Sequence, residues 1–336
     1  MPNHLKSILQ KSKIFMICRY VQANILAKIN QSRGTYISRS GATHRRYEHD
    51  IEESIGYINT VFEDYLLYGD IRPDDLRGQR ILEVGPGDNL GVALKFVSKG
   101  ASQVVCLDRF YSDRDESQQI EIYKALLATF DEEERRLAQS AISFSNDSFE
   151  FDQSKVEYIS DIALEEAQPI FQEESFDLIV SRAVLEHVFD LANAFLNMST
   201  WLKVGGSLLH KVDLRPHSMF PRHSNPLTFL TVPGYLWPLM VSNRGQPNRK
   251  RVNYYREKLE ELEIYDFDIY VTHIFGNGNE ILPHKLAVKL GEDYDATNVD
   301  LVRQVRKKLA REFRSLPDEE LLIAGIFLRA SKRASL

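Results

Sequence analysis

The sequence predicts an α/β protein built on a doubly wound, mostly parallel sheet with helices on both faces. Three observations predict it. From about residue 79, short apolar runs alternate with amphipathic stretches of helical length. The first run, RILEV, leads into a turn with Gly85 and Gly87 and then into a helix. The second run, VVCLD, ends in an acid, Asp108, 21 residues after Gly87.

The elements follow in order. Residues 5–29 carry apolar positions at mixed helical spacing (Ile8, Leu9, Phe15, Met16, Ile25, Leu26, Ile29) with basic residues between them. Such a helix can pack on the main domain, or it can lie on an anionic membrane or a partner. Residues 50–68 read as a second helix with Ile51, Ile55, Ile58, Phe62, Tyr65 and Leu66 on one face. RILEV and a helix to Ser98 come next, then QVVCLD and a helical stretch over 116–140. KVEYIS and ALEEAQ follow, then SFDLIVS, a helix over 190–202 and GSLLHKVDL. Strand–helix alternation of this kind calls for a sheet covered on both faces. Glu263–Phe275 and Glu320–Ala330 read as two last strands without a long helix of the usual kind linking them, so an antiparallel final strand is expected. The division is a helical N-terminal extension over 1–75 and one domain over 76–336, with insertions at about 111–154, 215–258 and 277–317. The last two follow strands, so they can hang over a substrate crevice.

Composition bounds the function. The 336 residues suffice for a sizeable core. A net charge of −6 argues against bulk affinity for nucleic acid, although no Asp or Glu precedes Glu48 while nine Lys and Arg do, from Lys6 to Arg46. Two cysteines support neither a disulfide framework nor a zinc site. The apolar run Ile14–Ile17 is too short, and too closely flanked by Lys and Arg, for a signal peptide or a spanning helix. A reduced, cytoplasmic protein is expected.

The glycine turn carries the chemistry. Gly85 and Gly87 allow backbone angles closed to other residues and leave no side chain between peptide and ligand. Asp88 or Asn89 can cap the helix that follows. A dinucleotide site would want Gly-x-Gly-x-x-Gly, but the third position here is Leu90. The strand ends instead in Glu83, which sits badly beside a pyrophosphate and suits a cationic ammonium. Asp108, at the end of the second strand, can accept hydrogen bonds from ribose hydroxyls.

Glu83-x-Gly85-x-Gly87, Asp108, Asp161 in YISDIALEEA, and SFDLIVSRAVLEHVFD followed by LKVGGSLL together resemble class I S-adenosylmethionine-dependent methyltransferases. The likeness covers roughly residues 79–214. It implies a Rossmann-like sheet of the seven-stranded methyltransferase type, with S-adenosyl-L-methionine as cofactor. On this resemblance Glu83, Gly85 and Gly87 line the methionine part. Asp108 binds the ribose, Arg109 and Phe110 stand beside it, and Phe110 packs near the adenine. Asp161 meets the adenine amino group with Ile162 beside the ring, and Ser181 and Arg182 end the fourth strand near the sulfonium. The family's third glycine is absent at Asn89. GPGDNLGVAL, CLDRF and HKVDLRPH are also similar to bacterial methyltransferases found among glycan and cell-surface polysaccharide genes.

A hydroxyl acceptor needs a base, whereas an amine or a carboxylate needs little help. LEHV offers Glu186 and His187, and LLHKVDLRPH offers His210, Asp213 and His217. Asp213 and His217 fall just past the strand end and form the preferred acid–base pair, with His187 as a further catalytic candidate. His210 reads as a packed strand residue. The i, i+3, i+7 spacing of His210, Asp213 and His217 crosses Pro216, so no metal is assigned to them. Arg244, Arg249, Lys250, Arg251 and Arg256 read most simply as a solvated charged loop, and an acidic acceptor such as a phosphorylated or carboxylated sugar would also want them. The expected activity is O-methylation of a glycan, glycolipid or other small acceptor by direct displacement, with nucleic acid not expected as a partner. The alternatives are a protein or nucleic-acid methyltransferase, or a non-catalytic scaffold using the basic N-terminal helix.

Overall fold

A computed structural model describes residues 12–33, 51–112, 114–221 and 223–333. Residues 5–11 of the expected first helix lie outside that set.

Seven strands form one sheet. β1 (Arg80–Val84), β2 (Gln103–Leu107) and β5 (Val156–Ile159) run outward from the middle on one side. β6 (Phe176–Arg182), β7 (Leu202–Asp213), β9 (Ile323–Ser331) and β8 (Asp266–Ile274) complete the other, in the order β5-β2-β1-β6-β7-β9-β8. All neighbouring pairs are parallel except β7–β9 and β9–β8. The final strand is therefore antiparallel, slotted between β7 and β8. The strand order reverses between β1 and β6, and a crevice forms at such a switch point. No helix among the described residues is long and apolar enough to cross a membrane.

The central strands bury both faces. Leu82, Val84, Val105, Leu107, Ile179 and Leu208 enter one core; Ile81, Val104, Cys106, Leu178, Val180 and Leu209 enter the other. This alternation explains why these strands read as unbroken apolar runs.

Helix α1 (Lys13–Ser32) buries Met16, Asn24 and Ala27. Its Asn24 amide donates to Leu239 O at 3.0 Å and to Ser242 Oγ at 3.1 Å, which fastens it to the short helix Trp237–Val241 of the middle insertion. Ile14, Ile25, Leu26 and Ile29 stay exposed. Helix α2 (Ile51–Gly69) lays Ile58, Phe62 and Tyr65 on the sheet, and the rings of Phe62 and Phe96 meet edge to face at 5.1 Å. Its Asp64 takes Arg182 Nη1 at 2.6 Å and Lys211 Nζ at 2.8 Å, so one carboxylate joins the helix to the ends of β6 and β7. Helix α3 (Gly91–Ser98) starts with Asn89 Oδ1 accepting from Gly91 N at 2.8 Å.

Four stretches differ from the sequence reading. Residues 116–140 hold two helices, α4 (Glu116–Ala128) and α5 (Glu132–Gln139), because Asp131 and Glu134 form a capping box that restarts the chain. A small hairpin, β3 (Ile142–Phe144) with β4 (Phe149–Phe151), packs its Phe149 and Phe151 on Tyr123. ALEEAQ forms short 3₁₀ turns rather than a helix. LVRQVRKKLAREFRSL reads as one charged helix over 301–316, but the helix is Ala296–Val305, and 3₁₀ turns then bury Leu309, Phe313 and Leu316.

Asp64→Ala is expected to cost about 3–5 kcal/mol, because it strips a buried partner from two cations. Chemical denaturation checks this; a loss below about 1 kcal/mol would mean that other contacts hold helix α2.

Candidate active site

A cavity of about 610 Å³ opens over the carboxyl ends of β1, β2 and β6. That volume suits a ligand of drug-like size. The turn after β1 makes its floor. Gly85 and Gly87 have φ of 67° and 79°, in the left-handed region that favours glycine. Gly85 N donates to Leu107 O at 2.8 Å, which prolongs the ladder into the turn. A Cβ on Gly85 would stand 2.4 Å from Val184 Cγ2. Arg114 Nη2 donates to Gly87 O at 3.1 Å from below, and Leu90 N donates to Tyr123 OH at 2.9 Å. The turn is thus braced from outside and bare toward the cavity.

Asp108, Arg109 and Phe110 line the same space from the end of β2, with Ile162, Arg182, His187 and His217 around it. Burial pushes the Asp108 carboxyl up to about 6, against weaker lowering by the Phe110 amide and Arg114. Arg182 lines the wall while its guanidinium, 5.5 Å from the Tyr57 ring, is spent on Asp64.

Four of the predicted site residues do not themselves line the cavity. Glu83 is buried under the turn, 5% exposed, with Cys106 Sγ 3.6 Å from its carboxylate. Burial raises it to about 7, the thiol offsetting a little. Glu83 is not part of the cavity wall, because strand alternation turns it to the face of Cys106. Asp161, at φ 64°, spends Oδ1 on Tyr111 N at 3.2 Å and Oδ2 on Ser160 Oγ at 3.0 Å, so it clips two loops together beside the wall. Ser181 is fully buried, with its Oγ 2.7 Å from His210 Nδ1; its neighbour Arg182 takes the cavity side. Asp213 stands behind His217, accepting from Arg215 Nη2 at 2.7 Å and lying 3.3 Å from His217 Nε2. Burial would raise the Asp213 carboxyl, but hydrogen bonds from His217 and Arg215 outweigh it and hold it well below the usual range.

Other wall residues had no signal in the sequence: Tyr57 comes from helix α2, and Gly245 and Gln246 come from the middle insertion, beside the Arg244 that the basic cluster had offered. Of the basic cluster, Arg249 and Arg251 are not free. Arg249 Nη1 donates to Val232 O at 2.6 Å and its head also pairs with Glu312; Arg251 donates to Leu214 O at 3.1 Å and to Ile323 O. These guanidiniums tie the insertion to the core. Arg244 is the member of the cluster that reaches the cavity.

Residues that could hold a metal are Glu186, His187 and His217, whose ligand atoms lie within 4.8 Å of one another. His210 faces Ser181, so the set His210, Asp213 and His217 does not close.

Residues 57–262, more than half of the chain, match the methyltransferase domain family. The chain belongs to that family and is a class I S-adenosylmethionine-dependent methyltransferase. No curated protein matches the sequence. Among solved structures it is similar to a phosphoethanolamine N-methyltransferase 2 of Haemonchus contortus, held with phosphomonomethylethanolamine and S-adenosylhomocysteine, at 15% identity and a TM-score of 0.43. That match covers 89% of this chain and 62% of the other, so the chain spans under two thirds of that enzyme's length. An S-adenosylmethionine-dependent methyltransferase of Mesorhizobium loti matches at 15% identity and TM-score 0.42, over 82% of this chain and 99% of that one. An arsenic(III) S-adenosylmethionine methyltransferase of Chlamydomonas reinhardtii matches at 16% and 0.38, over 82% and 71%. Likenesses this distant carry no argument about the acceptor.

The residues present fit the cofactor: a bare glycine turn that a side chain would block, and a partly buried carboxylate at the end of β2. Glu83 gives a stability test. Its folded pKa is raised from 4.5 to about 7, so its contribution is fully present below pH 4.5 and lost as pH rises through 7. Glu83→Gln should therefore flatten the decline of thermal stability over that range, by up to about 3 kcal/mol. An unchanged profile would show that Glu83 titrates normally.

Proposed function

We propose that the chain methylates a hydroxyl of a glycan, glycolipid or other small acceptor. The observation that carries this is the His217–Asp213 pair, 3.3 Å apart at the rim of the cavity that the glycine turn floors. S-adenosylmethionine, when bound, supplies a methyl group already activated on a sulfonium. The chain's own task is to hold, align and deprotonate. Gly85, Gly87 and Asp108 bind; Ile162 and Phe110 flank.

His217 takes the acceptor's proton at Nδ1, the nitrogen that Asp213 leaves free. Asp213 holds the ring by Nε2 and stabilises the imidazolium, and Arg215 keeps Asp213 ionised. His187 stays neutral beside it: burial, and then His217, push it down to about 4. A carboxylate acceptor, already ionised, would have no use for such a pair. Because Arg249 and Arg251 are engaged inside, a hydroxyl-bearing acceptor is favoured over a strongly acidic one, with Arg244 as the member of the basic cluster left at the wall.

Two further parts belong to this proposal. The exposed Ile14, Ile25, Leu26 and Ile29, with Lys28 between them, suit contact with an anionic membrane where glycolipid acceptors reside. Cys18 and Cys106 are free, which suits a reduced, cytoplasmic setting.

The test supplies labelled donor to separate sugar, lipid, RNA and protein pools. Label is expected in sugar or lipid, with His217→Ala lowering kcat by about 10²–10⁴-fold while donor affinity holds. Label confined to RNA or protein, or a His217→Ala enzyme of full rate, would overturn the reading.

A further inference from the structure

Beside the cofactor cavity lies a cluster that the glycine turn does not explain. Glu186 is 1% exposed, yet its carboxylate Oε2 has no hydrogen-bond partner; Oε1 accepts from Asp213 N at 3.2 Å. His187 Nδ1 is likewise buried without a partner. An unpartnered Nδ1 can present its lone pair to an ion in one of the ring's two neutral tautomers. His217 stands next to it, ring centroids 4.8 Å apart, held at Nε2 by Asp213 and so also offering Nδ1. A carboxylate behind a histidine is the usual second support of a metal ligand.

The backbone is committed to this arrangement. His217 and Ser218 have φ of 42° and 59°, an unfavourable region for residues with side chains. Such strain persists where surrounding structure enforces it, and it concentrates at functional sites.

We propose that Glu186, His187 and His217 bind a divalent transition-metal ion at the rim of the cofactor cavity. Two imidazoles and one carboxylate select zinc-like ions over magnesium or calcium, which prefer oxygen ligands. Three protein ligands leave positions open toward the cavity. An acceptor oxygen can enter there, so the ion serves to place the hydroxyl. That role rests on the hydroxyl-acceptor reading above; the binding of the ion does not. His217 has two exclusive duties: proton acceptor in the ion-free chain, ligand in the loaded one.

The experiment titrates the metal-stripped full chain with Zn²⁺ and, separately, with Co²⁺, without any acceptor. One Zn²⁺ per chain is expected. Affinity should fall roughly tenfold or more in Glu186→Gln and in His217→Gln, and stay unchanged in His223→Gln. Co²⁺ should develop the visible absorption of a low-symmetry nitrogen–oxygen site in the wild-type chain. Zn²⁺ bound equally by wild type and the Glu186→Gln/His217→Gln chain would overturn the proposal. A wild-type chain that leaves Co²⁺ with its aqueous spectrum would overturn it without recourse to any variant. Because no acceptor is present, a wrong acceptor class leaves this result intact.

Discussion

The site depends on one close approach: the Gly85 peptide against the start of the loop after β6. With hydrogen in place of Cβ the turn can bond to Leu107 O at 2.8 Å and still lie against Val184; any Cβ would be 2.4 Å from that side chain. The left-handed φ at Gly85 and Gly87 then points bare peptide into the cavity. Sheet order contributes the rest. Because β1 is flanked by β2 and β6 at the reversal point, the ends of three strands face one crevice, and Asp108 and Arg182 meet there from different parts of the sequence.

Around that floor the chain holds side-chain-bearing residues in unfavourable conformations. Asp161, Ala183 and His217 all have positive φ. Such residues cost on the order of 1–3 kcal/mol each and survive because neighbours over-determine them. The neighbours are visible: Asp161 is clamped by Tyr111 and Ser160, Ala183 N donates to Lys211 O at 2.8 Å, and His217 is tied to Asp213. The two-faced core of the sheet supplies the stability that these loops consume.

The sheet was legible because its strands bury both faces and therefore read as unbroken apolar runs. That Gly85, Gly87 and Asp108 meet at one crevice was legible because each sits at or just past the end of a neighbouring parallel strand. Side-chain direction was not. Glu83 and Ser181 sit at the right strand positions, but alternation turns them to the interior, and a one-residue difference decides between wall and core. The arginines of the middle insertion misled for a similar reason: Arg249 and Arg251 look like an anion patch in sequence and are internal struts in space, each satisfied by carbonyls that no local pattern announces. Tyr57 was invisible because its role comes from the docking of helix α2 through Asp64, a contact more than a hundred residues away in the chain. Asp213 was placed correctly at the strand end, yet it stands behind His217 rather than in the wall itself.

Donor binding depends on the floor of the cavity. Calorimetric titration of the folded chain with S-adenosylmethionine tests it most directly, comparing wild type with Gly85→Val and Asp108→Ala. The predicted result is heat of one-site binding for wild type, none for Gly85→Val, and affinity reduced roughly tenfold or more for Asp108→Ala, which loses charge-assisted hydrogen bonds. Undiminished binding in both variants, with circular dichroism showing them folded, would contradict it.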